Sequence, residues 1–138
     1  MERAEVDRWL EEYVAAWRSY ERRQIADLFS DDVTYRYHPY DDPIQGRESL
    51  LDSWLGEGDF AHDDWSRDQP GTYDASYRAV AVDGDSAVAT GTSTYLTEPG
   101  GTLKATYHNC FIMRFDGSGR CREFTEWFML EPASGGRS

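Results

Sequence analysis

The chain has few cysteines, no long apolar run and no apolar segment at its charged N-terminus, and these absences exclude several classes of protein. Two cysteines in 138 residues do not make a disulfide-rich extracellular scaffold. No apolar run approaches the ~18 residues that a transmembrane helix needs. The first residues do not resemble a signal peptide. We therefore expect a cytoplasmic protein that does not bind membranes.

Basic residues are also scarce, at 14 against 26 acidic ones, which gives a formal net charge of −12. Such a charge repels nucleic-acid phosphates and anionic lipid headgroups. The acidic residues are scattered along the chain, as on an ordinary solvated surface. Neither nucleic acid nor a membrane surface is expected as a partner.

Aromatic residues, in contrast, are abundant: five Trp, nine Tyr and six Phe. Aromatic side chains provide much apolar area with few rotamers to freeze, which suits a core or a pocket wall. The length fits one domain with its own core. We assign residues 1–131 to this domain and predict that residues 132–138 form a disordered tail.

Apolar periodicity predicts three helices in the first part of the chain. The first lies within residues 4–20, the second is short and carries Ile25, Leu28 and Phe29, and the third covers Arg47–Leu55. The acidic segment 56–71, with several glycines and a proline, contains Phe60, His62 and Trp65 and is a candidate lid. The first helix has its large apolar residues on one face: Val6, Trp9, Leu10, Tyr13, Val14, Trp17 and Tyr20.

Strand patterns follow the second helix and fill the chain after Gly71, with turn signals at Asp83-Gly84, at residues 98–101 and at residues 116–119. Helices that precede a run of antiparallel strands indicate an α+β fold. We expect a cone-shaped, curved antiparallel sheet with the three helices packed on its concave face. Such a cone leaves a cavity at its wide end.

The last hairpin predicts which side chains share a face. Whether the loop has four residues or two, Phe115 lies opposite Arg120. In that register three pairs project from the same face, whereas a three- or five-residue loop would break the register. The pairs are Tyr107 with Phe128, Asn109 with Glu126, and Phe111 with Phe124.

In the same register, both cysteines lie on the other face. Cys110 and Cys121 are four pairs apart, on the order of 13 Å at ~3.3 Å per residue. A disulfide needs Cα atoms within ~7 Å. Both cysteines are therefore predicted to be free.

Glu126 is the most informative ionisable residue of this hairpin. If its face is the inner one, the surrounding aromatic rings desolvate the carboxylate and raise its pKa, as a general acid or base requires. Asn109 would then orient it or bind a substrate oxygen. If the face is the outer one, Glu126 is simply solvated. The hairpin alone leaves both interpretations open.

Four segments of the chain form a recognisable pattern: residues 28–35, residues 43–48, residues 113–120 and the strand around Glu126-Trp127-Phe128. These segments resemble the SnoaL-like domain family of the nuclear transport factor 2-like superfamily. The resemblance covers nearly the whole chain, and it implies the cone fold with a single small-molecule pocket. The superfamily includes isomerases, cyclases, dehydratases, epoxide hydrolases and non-catalytic binding proteins.

Two enzyme families within the superfamily allow a residue-level comparison. In the bacterial ketosteroid isomerases, the position of the oxyanion tyrosine corresponds to Tyr13. The position of the base corresponds to Tyr37, beside His38, and the second oxyanion acid is replaced by Phe111. In the limonene epoxide hydrolases, a last-strand aspartate corresponds to Glu126. Their Arg and second Asp are absent.

The resemblance makes steroid-isomerase chemistry a poor match and favours the inner-face interpretation of Glu126. Catalysis is expected to involve Glu126 or His38 as the base and Tyr13 as an oxyanion donor. His38 is alternatively a loop histidine bonded to Asp41 and Asp42. The expected ligand-binding residues are Trp17, Tyr37, Trp54, Tyr107, Asn109, Phe111, Phe124 and Phe128.

The sequence contains no metal-ligand spacing, phosphate loop or dinucleotide motif, so we expect neither a metal nor a cofactor. The expected ligand is a small apolar or aromatic molecule, acted on by proton transfer or merely bound. The outer face of the sheet is unusually apolar and is expected to form a homodimer. This face would carry Thr106, His108, Cys110, Ile112, Trp127 and Met129.

Overall fold

The structure, a computed structural model, describes residues 1–61 and 68–132 as three helices against a six-stranded sheet. The sheet order is β2-β1-β6-β5-β4-β3. The predicted α+β class and the three helices are confirmed. Of the predicted tail, only Pro132 is among the described residues. Residues 62–67 of the candidate lid, which include His62 and Trp65, lie outside them. The elements are α1 (Arg3–Ser19), α2 (Arg22–Leu28), β1 (Phe29–Arg36), β2 (Ile44–Gln45), α3 (Arg47–Leu55), β3 (Tyr73–Asp83), β4 (Ser86–Leu96), β5 (Leu103–Phe115) and β6 (Cys121–Leu130), with a 3₁₀ turn at Gly58–Phe60.

The sheet is mixed rather than antiparallel throughout, which corrects one detail of the prediction. β1 pairs with β6 in parallel, whereas the other neighbours are antiparallel. In the chain, α3 and four strands (β2 to β5) separate β1 from β6, yet β6 is the neighbour of β1 in the sheet. This pairing brings the end of β1 next to the strand that carries Glu126.

Helix α1 packs its apolar stripe against the inner face of the sheet. A capping box between Glu2 and Glu5 begins the helix, and Tyr20, in the left-handed conformation at φ 54°, ends it. The Trp9 indole donates a hydrogen bond to the Leu28 carbonyl (3.0 Å), and Asp7 accepts one from the Ala79 amide (2.7 Å). These two bonds join α1 to α2 and to β3.

The β5–β6 register differs from the predicted one by two residues. Asn109 lies opposite Phe128, and Phe111 lies opposite Glu126. The turn has five residues, 116–120, and Arg122 is an additional residue in β6 before pairing resumes. The Asp116 carboxylate holds this turn by accepting hydrogen bonds from the amides of residues 118 and 120.

The two irregularities add up to an even shift, and side chains alternate with a period of two. The six predicted residues therefore still share one face, although each has a different partner. Cys121 precedes the bulge at Arg122 and pairs with Phe115, so it is buried on the inner face, contrary to the prediction. Neither cysteine forms a disulfide.

Candidate functional site

The wide end of the sheet and α1 enclose an open cavity of about 400 Å³. Glu126 and Asn109 project into it from β6 and β5, and Tyr13 and Trp17 from α1. Tyr37, just after β1, closes one side. The described residues that line it are Tyr13, Trp17, Tyr37, Asp68, Tyr73, Tyr77, Ser93, Tyr95, Lys104, Ala105, Tyr107, Asn109, Glu126 and Phe128.

Glu126 is held by a directional chain of hydrogen bonds. The Asn109 amide Nδ2 donates to Glu126 Oε2 (2.6 Å), and Asn109 Oδ1 accepts from the Ser93 hydroxyl (3.0 Å). Ser93 and Asn109 are both buried. The two residues fix the carboxylate in one orientation, since the amide nitrogen points at it.

Burial raises the pKa of Glu126 from 4.5 to about 7, although the hydrogen bond from Asn109 and the charge of His38 act in the opposite direction. Desolvation penalises the ionised form, and the single amide donor only partly compensates. At neutral pH the residue is therefore present in both protonation states. A carboxyl group with these properties can accept or donate a proton.

The tyrosines around Glu126 are neutral hydrogen-bond donors at neutral pH. Burial raises the pKa of Tyr77 to about 12, and it also raises the pKa values of Tyr13, Tyr37, Tyr73 and Tyr95. Their O–H groups are available to a ligand oxygen without any change of charge.

Two of the cavity tyrosines are already bonded to neighbours. The Tyr13 hydroxyl lies 3.1 Å from that of Tyr35, and the Tyr37 hydroxyl lies 2.9 Å from Ser53 Oγ. Tyr35 is fully buried and lies outside the lining. If Tyr35 donates to Tyr13, the Tyr13 proton is free to point into the cavity.

Three of the expected ligand-binding residues lie one layer deeper than predicted. Trp54, Phe111 and Phe124 are buried and do not line the cavity. Trp54 stacks on Trp17 with ring centroids 3.8 Å apart, and Phe124 stacks on Tyr35 at 4.7 Å. They support the lining from behind, because Trp17 of α1 stacks on Trp54 and Tyr13 of α1 contacts both Phe111 and Phe124.

His38 also lies outside the lining. Its Nδ1 is 2.9 Å from Asp41 Oδ2, and its ring stacks on Tyr40 with centroids 5.1 Å apart. The ring also contacts Phe128 at the mouth. This is the geometry of the loop histidine, and the effect of His38 on Glu126 is an electrostatic lowering of the pKa of that carboxyl group.

Seven of the described cavity residues, most of them in β3 and β4, were not predicted from the sequence. The register of their hairpin shifts at Val80, so that Tyr77 lies opposite Gly91 and Tyr73 opposite Tyr95. Val80 is the additional residue in β3. Without it, the alternation of inward and outward side chains from the β3–β4 turn would place Tyr73 and Tyr77 on the outer face. The residues not identified are Asp68, Tyr73, Tyr77, Ser93, Tyr95, Lys104 and Ala105.

Within residues 1–61 and 68–132, no group of three His, Cys, Asp or Glu side chains could hold a metal ion. The same residues include no helix that is both long and apolar enough to span a membrane.

Comparison with known proteins identifies the family and the fold. The model of the SnoaL-like domain matches residues 10–124. A solved structure described as an M. tuberculosis LEH-like epoxide hydrolase superposes with a TM-score of 0.62 at 16% identity, covering 94% of this chain and 86% of that one. No curated protein matches. Because the family model covers most of the chain, the protein belongs to the SnoaL-like domain family of the nuclear transport factor 2-like superfamily.

Proposed function

We propose that the cavity binds a small, mostly apolar, oxygenated molecule and that Glu126 transfers a proton to or from it without a cofactor. The reaction is an isomerisation, dehydration or cyclisation. The observation that carries this proposal is the cavity-lining carboxyl group of Glu126, whose pKa burial raises to about 7 and whose orientation Asn109 fixes. General bases with a pKa near the working pH are the most effective.

The division of labour follows from the hydrogen bonds. Glu126 Oε2 is engaged by Asn109, which leaves Oε1 to take the proton from a carbon or oxygen of the substrate. Tyr13, backed by Tyr35, supplies an O–H to the substrate oxygen that becomes negative. Tyr107 and Tyr37 are further donors at the same cavity.

A proton-exchange experiment tests the proposal without knowledge of the natural substrate. The α hydrogens of 2-tetralone, a small aromatic ketone, exchange in D₂O when a base and an oxyanion donor act together. We expect the wild-type protein to accelerate this exchange above buffer, as followed by proton NMR. Glu126→Gln should abolish the acceleration, since the amide cannot accept the proton.

The matched control is Glu123→Gln on the same strand. Glu123 is outside the cavity and pairs with Arg114 across the β5–β6 hairpin (3.5 Å). This variant should retain the exchange. Equal exchange in Glu126→Gln and in the wild type would contradict the assignment of the base.

A second candidate function is binding without catalysis. It is favoured by the open mouth of the cavity, where Phe128 is 41% exposed and Lys104 is exposed. Water enters such a cavity, which weakens electrostatic stabilisation of a developing charge. If the wild-type protein binds 2-tetralone but does not accelerate the exchange of its α hydrogens, the cavity binds its ligand without catalysis.

We also propose that the outer face of the sheet forms a homodimer. Ile112, Trp127 and Met129 lie together on this face and are each at least 41% exposed. Covering them removes a contiguous apolar surface from water.

A further inference from the structure

The cavity has an excess of negative charge. Among the described residues, two carboxyl groups, Glu126 and Asp68, line it, against one cationic side chain, Lys104, which is exposed and is the only lysine of the sequence. Burial is the largest cause of the raised pKa values of Tyr37 and Tyr95. The charge of Glu126 raises the pKa of Tyr37 further, and the charge of Asp68 raises that of Tyr95. Both carboxyl groups therefore act electrostatically on tyrosines of the described lining.

Aromatic rings of different orientation surround one end of this cavity. The Tyr107 ring lies nearly perpendicular to both Tyr95 (5.8 Å, 90°) and Phe128 (5.5 Å, 80°). Tyr73 follows, with its ring 5.4 Å from that of Tyr95. These pairs are packed edge to face, and all four rings also line the cavity. Their faces are rich in electrons and attract cations.

We propose that the ligand of this cavity carries a tertiary or quaternary ammonium group, held among the rings of Tyr95, Tyr107 and Phe128 with Glu126 and Asp68 as its counter-charges. The inference rests on the proposed function, because it names the class of molecule that the same cavity takes. A buried carboxylate is costly without a partner, and a ligand cation supplies one. The neutral tyrosines bind the oxygen atoms of the same molecule.

A shape-matched pair of ligands tests the charge directly. 3-Hydroxyphenyltrimethylammonium and 3-tert-butylphenol have nearly the same shape and the same phenol group, and they differ by one positive charge. Titration calorimetry at pH 7, where both phenols are largely protonated and Glu126 is partly ionised, should show at least tenfold tighter binding of the cation to the wild type. Glu126→Gln should reduce this preference at least threefold, and Glu123→Gln should leave it unchanged.

Three results would overturn the inference: equal or tighter binding of 3-tert-butylphenol, an unchanged preference in Glu126→Gln, or no binding of either probe at millimolar concentration. The proposed function fails separately, by the absence of 2-tetralone exchange. Tight binding of 3-tert-butylphenol alone, together with exchange, would leave the proton-transfer function in place and remove only the ammonium group.

Discussion

At the scale of single residues, the burial of Glu126 makes folding depend on pH. In the unfolded chain its carboxyl group titrates near 4.5, and in the folded protein near 7. Below the lower value, Glu126 is protonated in both states and costs nothing. Between the two values the unfolded chain releases the proton and the folded protein keeps it, so stability is lost as the pH rises.

Glu126→Gln should therefore be more stable than the wild type at high pH. The interval from 4.5 to about 7 corresponds to at most roughly 3 kcal/mol, at about 1.4 kcal/mol per pH unit. We expect this difference in the free energy of unfolding at pH 8 and almost none at pH 4, from urea unfolding across the range. A difference that does not change with pH would contradict the burial of the charge.

Glu126 and Asn109 could be singled out from the sequence because the prediction needed only the alternation of side chains between the two faces of the sheet, not the exact pairing of β5 with β6. Their contact is diagonal, not directly across the hairpin as predicted, yet the amide still reaches the carboxylate. Trp54 and His38 were placed less well. Whether an aromatic ring lines a cavity or supports it from behind depends on where the other helices and strands lie. The periodicity of apolar residues in the sequence does not predict those positions.

At the scale of elements, β6 carries both the core and the site, and adjacent inward positions have different roles. Phe124 is buried between Tyr35 and Phe111, with ring centroids 4.7 and 4.9 Å away. Phe128, four residues later on the same face, is at the mouth of the cavity. The strand thus runs from packed interior to open end, with Glu126 between the two.

The same substitution at these two positions should therefore have different effects. Phe124→Ala should cost roughly 3–5 kcal/mol of unfolding free energy, because it leaves a cavity in a packed cluster. Phe128→Ala should cost less than about 1 kcal/mol, as expected of a partly exposed side chain, and should weaken ligand binding instead. Denaturant unfolding of both variants measures this, and equal losses would contradict the division of roles.

Irregular pairing explains which elements the sequence could predict. The helices and the longer strands follow from apolar patterns and turn residues and were predicted, except that Phe29, assigned to the second helix, begins β1. The two-residue strand β2 was not predicted. Because of the bulge at Arg122, Cys121 lies on the inner face and not on the predicted outer face. Because of the shift at Val80, Tyr73 and Tyr77 were not predicted to line the cavity. A bulge depends on how two strands fit against the helices, and no local signal marked either one.

At the scale of the whole molecule, two properties oppose each other in the proposed dimer. The apolar outer face favours association, whereas the net charge of −12 on each copy opposes it. Trp127 and Met129, 41% and 75% exposed, are central to this face. The apolar contact would have to outweigh the mutual repulsion of two acidic copies. Added salt screens that repulsion and should favour the dimer.

Trp127→Glu should convert the dimer into a monomer, since it places a charge in the proposed interface. Light scattering at high micromolar concentration should give twice the chain mass for the wild type and the chain mass for the variant. Tyr40→Glu is the control, because Tyr40 is exposed in the loop that follows β1. A monomeric wild type under these conditions would contradict the proposed dimer.

The most direct test of the account is a titration of the Glu126 carboxyl group by ¹³C NMR, with its signal assigned by its loss in Glu126→Gln. The account predicts a midpoint at about pH 7, and a higher one in Asn109→Ala, because the hydrogen bond from Asn109 lowers the pKa. A midpoint near 4.5 would mean that Glu126 is solvated and ionised at neutral pH. That result would contradict its role as the proton-transferring group of the cavity.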